Sequence, residues 1–123
     1  MEDQTTPWYN VAAYVALVIA MFTYGSAAAQ NPCNSEICVV QFNAGWNGAN
    51  SIDYLDDLTD CSTMNVNIED GSWREDYGIV VVPTVIVFNG KEVERFQADI
   101  SFKIVATRKD VQGIIDDIIY SDF

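Results

Sequence analysis

The chain has 123 residues, 18 of them acidic against 6 basic, for a net charge of −12. Phosphate binding needs clustered Lys and Arg, so this balance excludes a nucleic-acid partner. The sequence contains no histidine, which excludes Ser–His and Cys–His catalysis and removes the commonest transition-metal ligand.

From Trp8 to Ala29 no residue is charged. At a helical rise of about 1.5 Å per residue this stretch reaches roughly 33 Å, enough to cross a bilayer core. Trp8, Tyr9 and Tyr24 lie near its ends, where interfacial aromatics belong. Residues 1–29 are therefore expected to be a transmembrane anchor, 30–37 a linker, and 38–123 an extracytoplasmic domain. The competing reading is a cleaved secretory signal, because Ala27-Ala28-Ala29 before Gln30 resembles a cleavage site; the product would be a secreted or periplasmic binding module. Against it, the leading segment is acidic at Glu2 and Asp3 rather than basic, and the apolar run is long for a signal. An exported domain meets an oxidising compartment. Cys33 and Cys38 can then pair, leaving Cys61 odd.

Cys38 to Phe42 is a β-branched and aromatic run expected to form a buried strand. Asn50 or Ser51 can cap a helix running to Asp60. On that helix Ile52, Tyr54, Leu55 and Leu58 would share one face, and Asp53, Asp56, Asp57 and Asp60 the opposite one. Met64 to Ile68 alternates as a half-buried strand, and Glu69 to Tyr77 is a polar connector with room for one helical turn. Val80 to Val82 and Val85 to Phe88 are strand-like, with Pro83 at a strand start or turn. Asn89-Gly90 signals a two-residue hairpin turn between Thr84–Phe88 and Lys91–Phe96. Ile100, Phe102 and Ile104 alternate in a segment expected to be an added strand or an extended arm. Thr107 to Asp110 resembles a capping box, opening a helix with Val111, Ile114, Ile115, Ile118 and Ile119 on one stripe.

The run from Cys38 through Gln41 and Phe42 to Trp46 resembles the thioredoxin-family strand that leads into an active-site Trp. Tyr77-Gly78-Ile79 reaching Val82-Pro83-Thr84 resembles the family's approach to a cis-Pro and Thr, and Val85 to Phe88 with Asn89-Gly90 matches its hairpin. The resemblance covers Cys38 to Ile119. It implies a thioredoxin-like α/β fold: a βαβ-ββα core with a mixed central sheet, preceded by the N-terminal hydrophobic helix. The family's Cys-Gly-Pro-Cys dithiol follows the Trp; here Asn47-Gly48-Ala49-Asn50 stands in its place, and Asn cannot attack as a thiolate. Where the family keeps a buried carboxylate stands Gln41, which cannot titrate. Asn50 and Pro83 also lie closer in sequence than in full-length thioredoxins, so the first helix and its loop are trimmed.

Composition and resemblance together lead to a set of functional expectations. There is no catalytic residue, no cofactor and no metal, so the chain is not an enzyme. A degenerate active-site surface, open to peptides, comprises Trp46, Asn47, Gly48, Ala49, Asn50, Val82, Pro83 and Thr84. The aspartate face is solvated or meets a basic partner, since oxygen-ligand metal sites draw on loops rather than one helix face. The partners are the membrane, through residues 8–29, and other protein subunits; no small-molecule substrate is indicated. The expected function is a redox-inactive, membrane-tethered subunit of a larger assembly. The alternative is an atypical thiol–disulfide oxidoreductase or chaperone using Cys33, Cys38 or Cys61.

Overall fold

The computed structural model describes residues 31–33 and 35–121. The apolar segment at 8–29 lies outside the described residues, and among those described no helix is long and apolar enough to cross a membrane. The elements are β1 (Ile37–Asn43), β2 (Ser62–Asn67), α1 (Trp73–Asp76), β3 (Thr84–Asn89), β4 (Lys91–Gln97) and α2 (Arg108–Ser121). They build a mixed four-stranded sheet in the order β2-β1-β3-β4. β1 and β2 run parallel, with Gln41 opposite Asn65. β1–β3 and β3–β4 are antiparallel. The mixed sheet agrees with the sequence reading, but the β–β–α–β–β–α order lacks the crossover helix expected between the first two strands.

β1 is buried along almost its whole length, so its side chains divide between two cores by strand alternation. Val40 and Phe42 join Val66, Ile86 and Phe88 on one face, with Trp73 and Tyr77 of the α1 turn packed against them. Tyr77 stacks on Trp73 at 5.8 Å and lies 5.2 Å from Phe42 between ring centroids. On the other face Val39, Val85 and Val87 meet Val111, Ile115 and Ile118 of α2. The α2 start is the expected capping box. The Thr107 N–H donates to Asp110 Oδ2 at 2.8 Å, and the Asp110 N–H donates to Thr107 Oγ1 at 3.3 Å.

The helix expected between Asn50 and Asp60 does not form. Two 3-10 turns, Gly45–Asn50 and Leu55–Asp57, replace it. Three physical causes act together. Ser, Ile, Asp, Tyr and Thr are weak helix formers. The acids continue to Asp60, where they oppose the helix dipole. The segment's backbone also finds partners elsewhere: Gln41 Oε1 accepts the Ile52 N–H at 2.7 Å, and Gln112 brackets Thr59, accepting from its N–H at 2.9 Å and donating to its carbonyl at 3.1 Å. Leu55 and Leu58 still reach the α2-side core. With no helix, Asp53, Asp56, Asp57 and Asp60 are exposed but share no helical face. Among the described residues no group of three or more His, Cys, Asp or Glu could hold a metal ion.

Three smaller expectations also change. Val80 to Val82 is not a strand; Val80 lies exposed in the approach to Pro83. Gly90 alone sits between β3 and β4, at φ +77°, and the register shift at Val87/Phe88 takes up the difference from a two-residue turn. Residues 100–106 form neither a strand nor an extended arm. Asp99 Oδ1 accepts from the Ser101 N–H at 2.8 Å and the Ser101 hydroxyl at 2.5 Å, and the Phe102 N–H donates to the Asp99 carbonyl at 3.0 Å. These local bonds curl the segment into a turn, and Phe102 adopts φ +63°.

A candidate protein-interaction site

The C-terminal end of β1 carries the chain directly into the Gly45–Asn50 turn. Because β3 runs antiparallel, it begins beside the same end, with Thr84 opposite Phe42. The Val82–Pro83 peptide bond, expected cis from the resemblance, is cis. The topology thus gathers the Trp46 turn, the Pro83 approach and the 99–103 turn at one pole of the sheet.

Asn47 organises this pole. Its backbone leaves the helical region, at φ −111° and ψ 18°, and its side chain is 96 % removed from solvent, at 4 % exposure. The Nδ2 group donates to Asn43 Oδ1 at 3.1 Å, to the Val82 carbonyl at 3.2 Å and to the Phe102 carbonyl at 3.3 Å. Its Oδ1 accepts from Asn50 Nδ2 at 2.7 Å. Asn43 in turn donates to the Asn47 carbonyl at 3.1 Å and to Ser51 Oγ at 2.9 Å. Burial of an amide is costly unless its hydrogen bonds are made, and here they are made with all three segments of the pole. A sulfur at position 47 could not supply this set of donors.

Gln41 is equally committed. It is 2 % exposed, donates to Asn65 Oδ1 at 2.8 Å and accepts from the Ile52 N–H. It acts as a structural bracket, with no titratable proton to deliver.

Of the residues expected at this surface, Trp46 is 66 % exposed. Its ring meets Phe102 edge to face, with centroids 5.4 Å apart. Pro83 and Thr84 are buried; Thr84 Oγ1 donates to the Val81 carbonyl at 2.7 Å. Gly48 lines one neighbouring depression, and Ala49 and Asn50 line another. The groove that remains beside Trp46, of about 380 Å³, is lined by Val80, Val82, Phe102, Glu69 and Arg74 among others. Glu69 Oε1 accepts the Gly45 N–H at 2.7 Å. Phe102, Val80 and Arg74 were not anticipated. The signal for Phe102 was present as an apolar run inside a polar loop, but its alternation read as a strand.

The sulfurs lie elsewhere. Cys33 and Cys38 are disulfide-bonded with Cα atoms 6.0 Å apart, as their spacing allowed. Cys38 is the second residue of β1 and is fully buried, and the five-residue advance to Asn43 puts the bond about 17 Å from the Trp46 pole. Cys61 is a free, half-buried thiol. Burial pushes its pKa up, and the Asp60 carboxylate pushes it the same way, which lowers its thiolate fraction.

No protein-family model matches the chain, and no curated protein matches it. Solved structures do. A mutant thioredoxin from Halobacterium salinarum NRC-1 is similar over 68 % of this chain and 75 % of its own, at 17 % identity and a TM-score of 0.53. A designed protein is similar over 80 % of this chain and 91 % of its own, at 20 % identity and a TM-score of 0.51. At such identities the likeness concerns the fold, which hosts many functions. The sheet order and these structural relatives together establish that the chain has the thioredoxin-like fold.

Proposed function

We propose that the protein is a redox-inactive, membrane-tethered thioredoxin-like domain that serves as a structural or protein-binding subunit of a membrane-associated assembly. The observation that carries this reading is the Asn47 clamp. The position following Trp46 is filled by a buried amide that ties the Pro83 approach and the Phe102 turn together, and no thiol lies at that pole. The exposed Trp46, Val80 and Phe102 then offer an apolar contact surface around a groove, of the kind that anchors protein partners. The uncharged stretch at 8–29 supports the tether. The test has two parts. In a dithiothreitol-driven insulin-reduction assay, the full chain should leave the rate at the background value. On native gels of source membranes, it should migrate in a large assembly that Trp46→Asp together with Val80→Asp dissociates. A chain that runs as a monomer would sink the subunit reading.

The Cys33–Cys38 disulfide favours a second reading, an oxidoreductase that uses this pair. It requires the opposite outcome: a rate above background that Cys33→Ser abolishes. Cys38 is fully buried and Cys33 half-buried, so in this reading an attacking thiolate would enter at the Cys33 sulfur and Cys38 would leave.

A further inference from the structure

The two edges of the sheet are built differently. β4 carries Lys91, Glu92, Glu94 and Arg95 among seven residues, and its partner β3 has a register shift; charges and irregularity are devices that block pairing by another strand. β2, with the sequence STMNVN, has no charge and no Pro. Its orientation follows from one bond: the Ile68 N–H donates to the Asn43 carbonyl at 3.0 Å. In a parallel ladder alternate residues turn their polar groups toward the neighbour. Val66 and Met64 therefore face β1, and Thr63 and Asn65 direct their N–H and C=O groups outward, where no described strand pairs with them.

The surroundings add a side-chain site and a charge pattern. An open groove of about 410 Å³ adjoins this edge, lined by Gln41, Asn43, Ser51, Asn65 and Asn67 among others. The side-chain NH₂ groups of Asn65 and Asn67 donate to no described residue. Acids stand at both ends of the strand, Asp60 before it and Glu69 with Asp70 after it.

We infer that the β2 edge is a second docking site, independent of the Trp46 pole, which takes an extended segment of a basic partner protein by strand addition. The backbone of the incoming strand pairs with Thr63 and Asn65. A side chain of the incoming strand enters the groove, where the Asn65 and Asn67 NH₂ groups are donors not engaged with any described residue. Basic residues at the ends of the segment meet Asp60 on one side and Asp70 on the other. A second copy of this chain fits less well. An antiparallel pairing of β2 with itself about Asn65 would set Asp60 against Asp70 of the other copy at each end, and like charges opposed across strands are destabilising.

The test uses the full chain in detergent micelles and two blocked hexapeptides, Arg-Val-Thr-Val-Thr-Arg and Glu-Val-Thr-Val-Thr-Glu, with amide exchange read by NMR. The basic peptide should slow exchange at Thr63 and Asn65 at least tenfold, and the acidic one should not. Asp60→Asn with Asp70→Asn should weaken the basic peptide about tenfold; Asn tolerates the positive φ that Asp60 adopts, +64°. Asn65→Pro should abolish the effect, and because its N–H points out of the sheet the fold should survive, as unchanged exchange along β1 and β3 would verify. The inference is overturned if neither peptide protects β2, if the acidic peptide does so equally, if protection falls on β4, or if β2 is already protected in a concentration-dependent manner by self-association. None of these outcomes depends on the insulin assay or on the Trp46 surface.

Discussion

At the scale of single residues, the chain's behaviour turns on which polar atoms are buried and what they meet. Asn47 is the plainest case. Its Nδ2 serves three acceptors, so Asn47→Ala leaves the buried Val82 carbonyl short of a donor, removes one of two donors from Asn43 Oδ1, which keeps the Ala44 N–H, and frees the part-buried Phe102 carbonyl. A buried group left unsatisfied costs about 1–3 kcal/mol, so the variant is expected to lose about 2 kcal/mol. For a domain of this size that is roughly a 10 °C fall in Tm, measurable by thermal denaturation. Asn50→Ala removes only the bond to Asn47 Oδ1 from a half-buried position, and is expected to cost clearly less. A second prediction concerns Cys61. With its pKa raised by burial and by Asp60, it should alkylate at pH 7 several-fold more slowly than an unhindered cysteine. Asp60→Asn should recover part of the rate. A Cys61 that reacts faster than a model thiol would reopen the oxidoreductase reading.

At the scale of elements, the capping box and the Asp99 turn carry a pH dependence whose sign is fixed. The Thr107 N–H and hydroxyl hold Asp110 below the ordinary carboxylate range. The Ser101 hydroxyl, then its N–H, do the same for Asp99. A carboxylate whose folded pKa is depressed contributes fully above its unfolded value, and that contribution is lost as pH falls through the lower folded value. In an acid titration followed by carboxyl-carbon NMR, both groups should therefore titrate below the range of an ordinary aspartate. Thr107→Ala should raise the Asp110 midpoint and cost about 1 kcal/mol of stability. The same elements show where sequence reasoning succeeds. Thr107 to Asp110, the isoleucine stripe of α2 and the alternation in β1 are local signals that tertiary packing reinforces, so strand and helix were readable. The segment from Ser51 to Asp60 was misread because its apolar spacing fits a helix. Its actual backbone partners, Gln41 and Gln112, come from β1 and α2, and nothing local announces them. The site divided in the same way. Trp46 and the cis Val82–Pro83 bond were legible from the resemblance, whereas Arg74, Val80 and Phe102 belong to three separate segments that only the tertiary fold brings together.

At the scale of the whole molecule, the sheet separates two poles with different tasks. At one end the chain enters the domain under restraint. The Asn31 N–H donates to the Gly90 carbonyl at 3.2 Å, the Gly90 N–H donates to the Glu36 carbonyl at 3.0 Å, Asn31 Nδ2 donates to the Ser35 and Glu36 carbonyls, and the Cys33–Cys38 bond closes the loop. At the other end lie Trp46, Asn47 and Phe102. If the disulfide is a strap on the entry segment, breaking it should soften one pole and leave the other alone. Closing a loop of sequence separation 5 is worth about 2 kcal/mol in the chain-entropy model, so reduction should lower the unfolding free energy by about that amount. Amides at Asn31, Cys33 and Gly90 should exchange faster, while the Trp46 indole N–H resonance and the exchange of the Asn47 side chain remain as they were, about 17 Å away along β1. A redox-active pair coupled to the groove would behave otherwise. Reduction would then shift Trp46 and the Asn47 amide together, and the assignment of the disulfide to a structural role would fail.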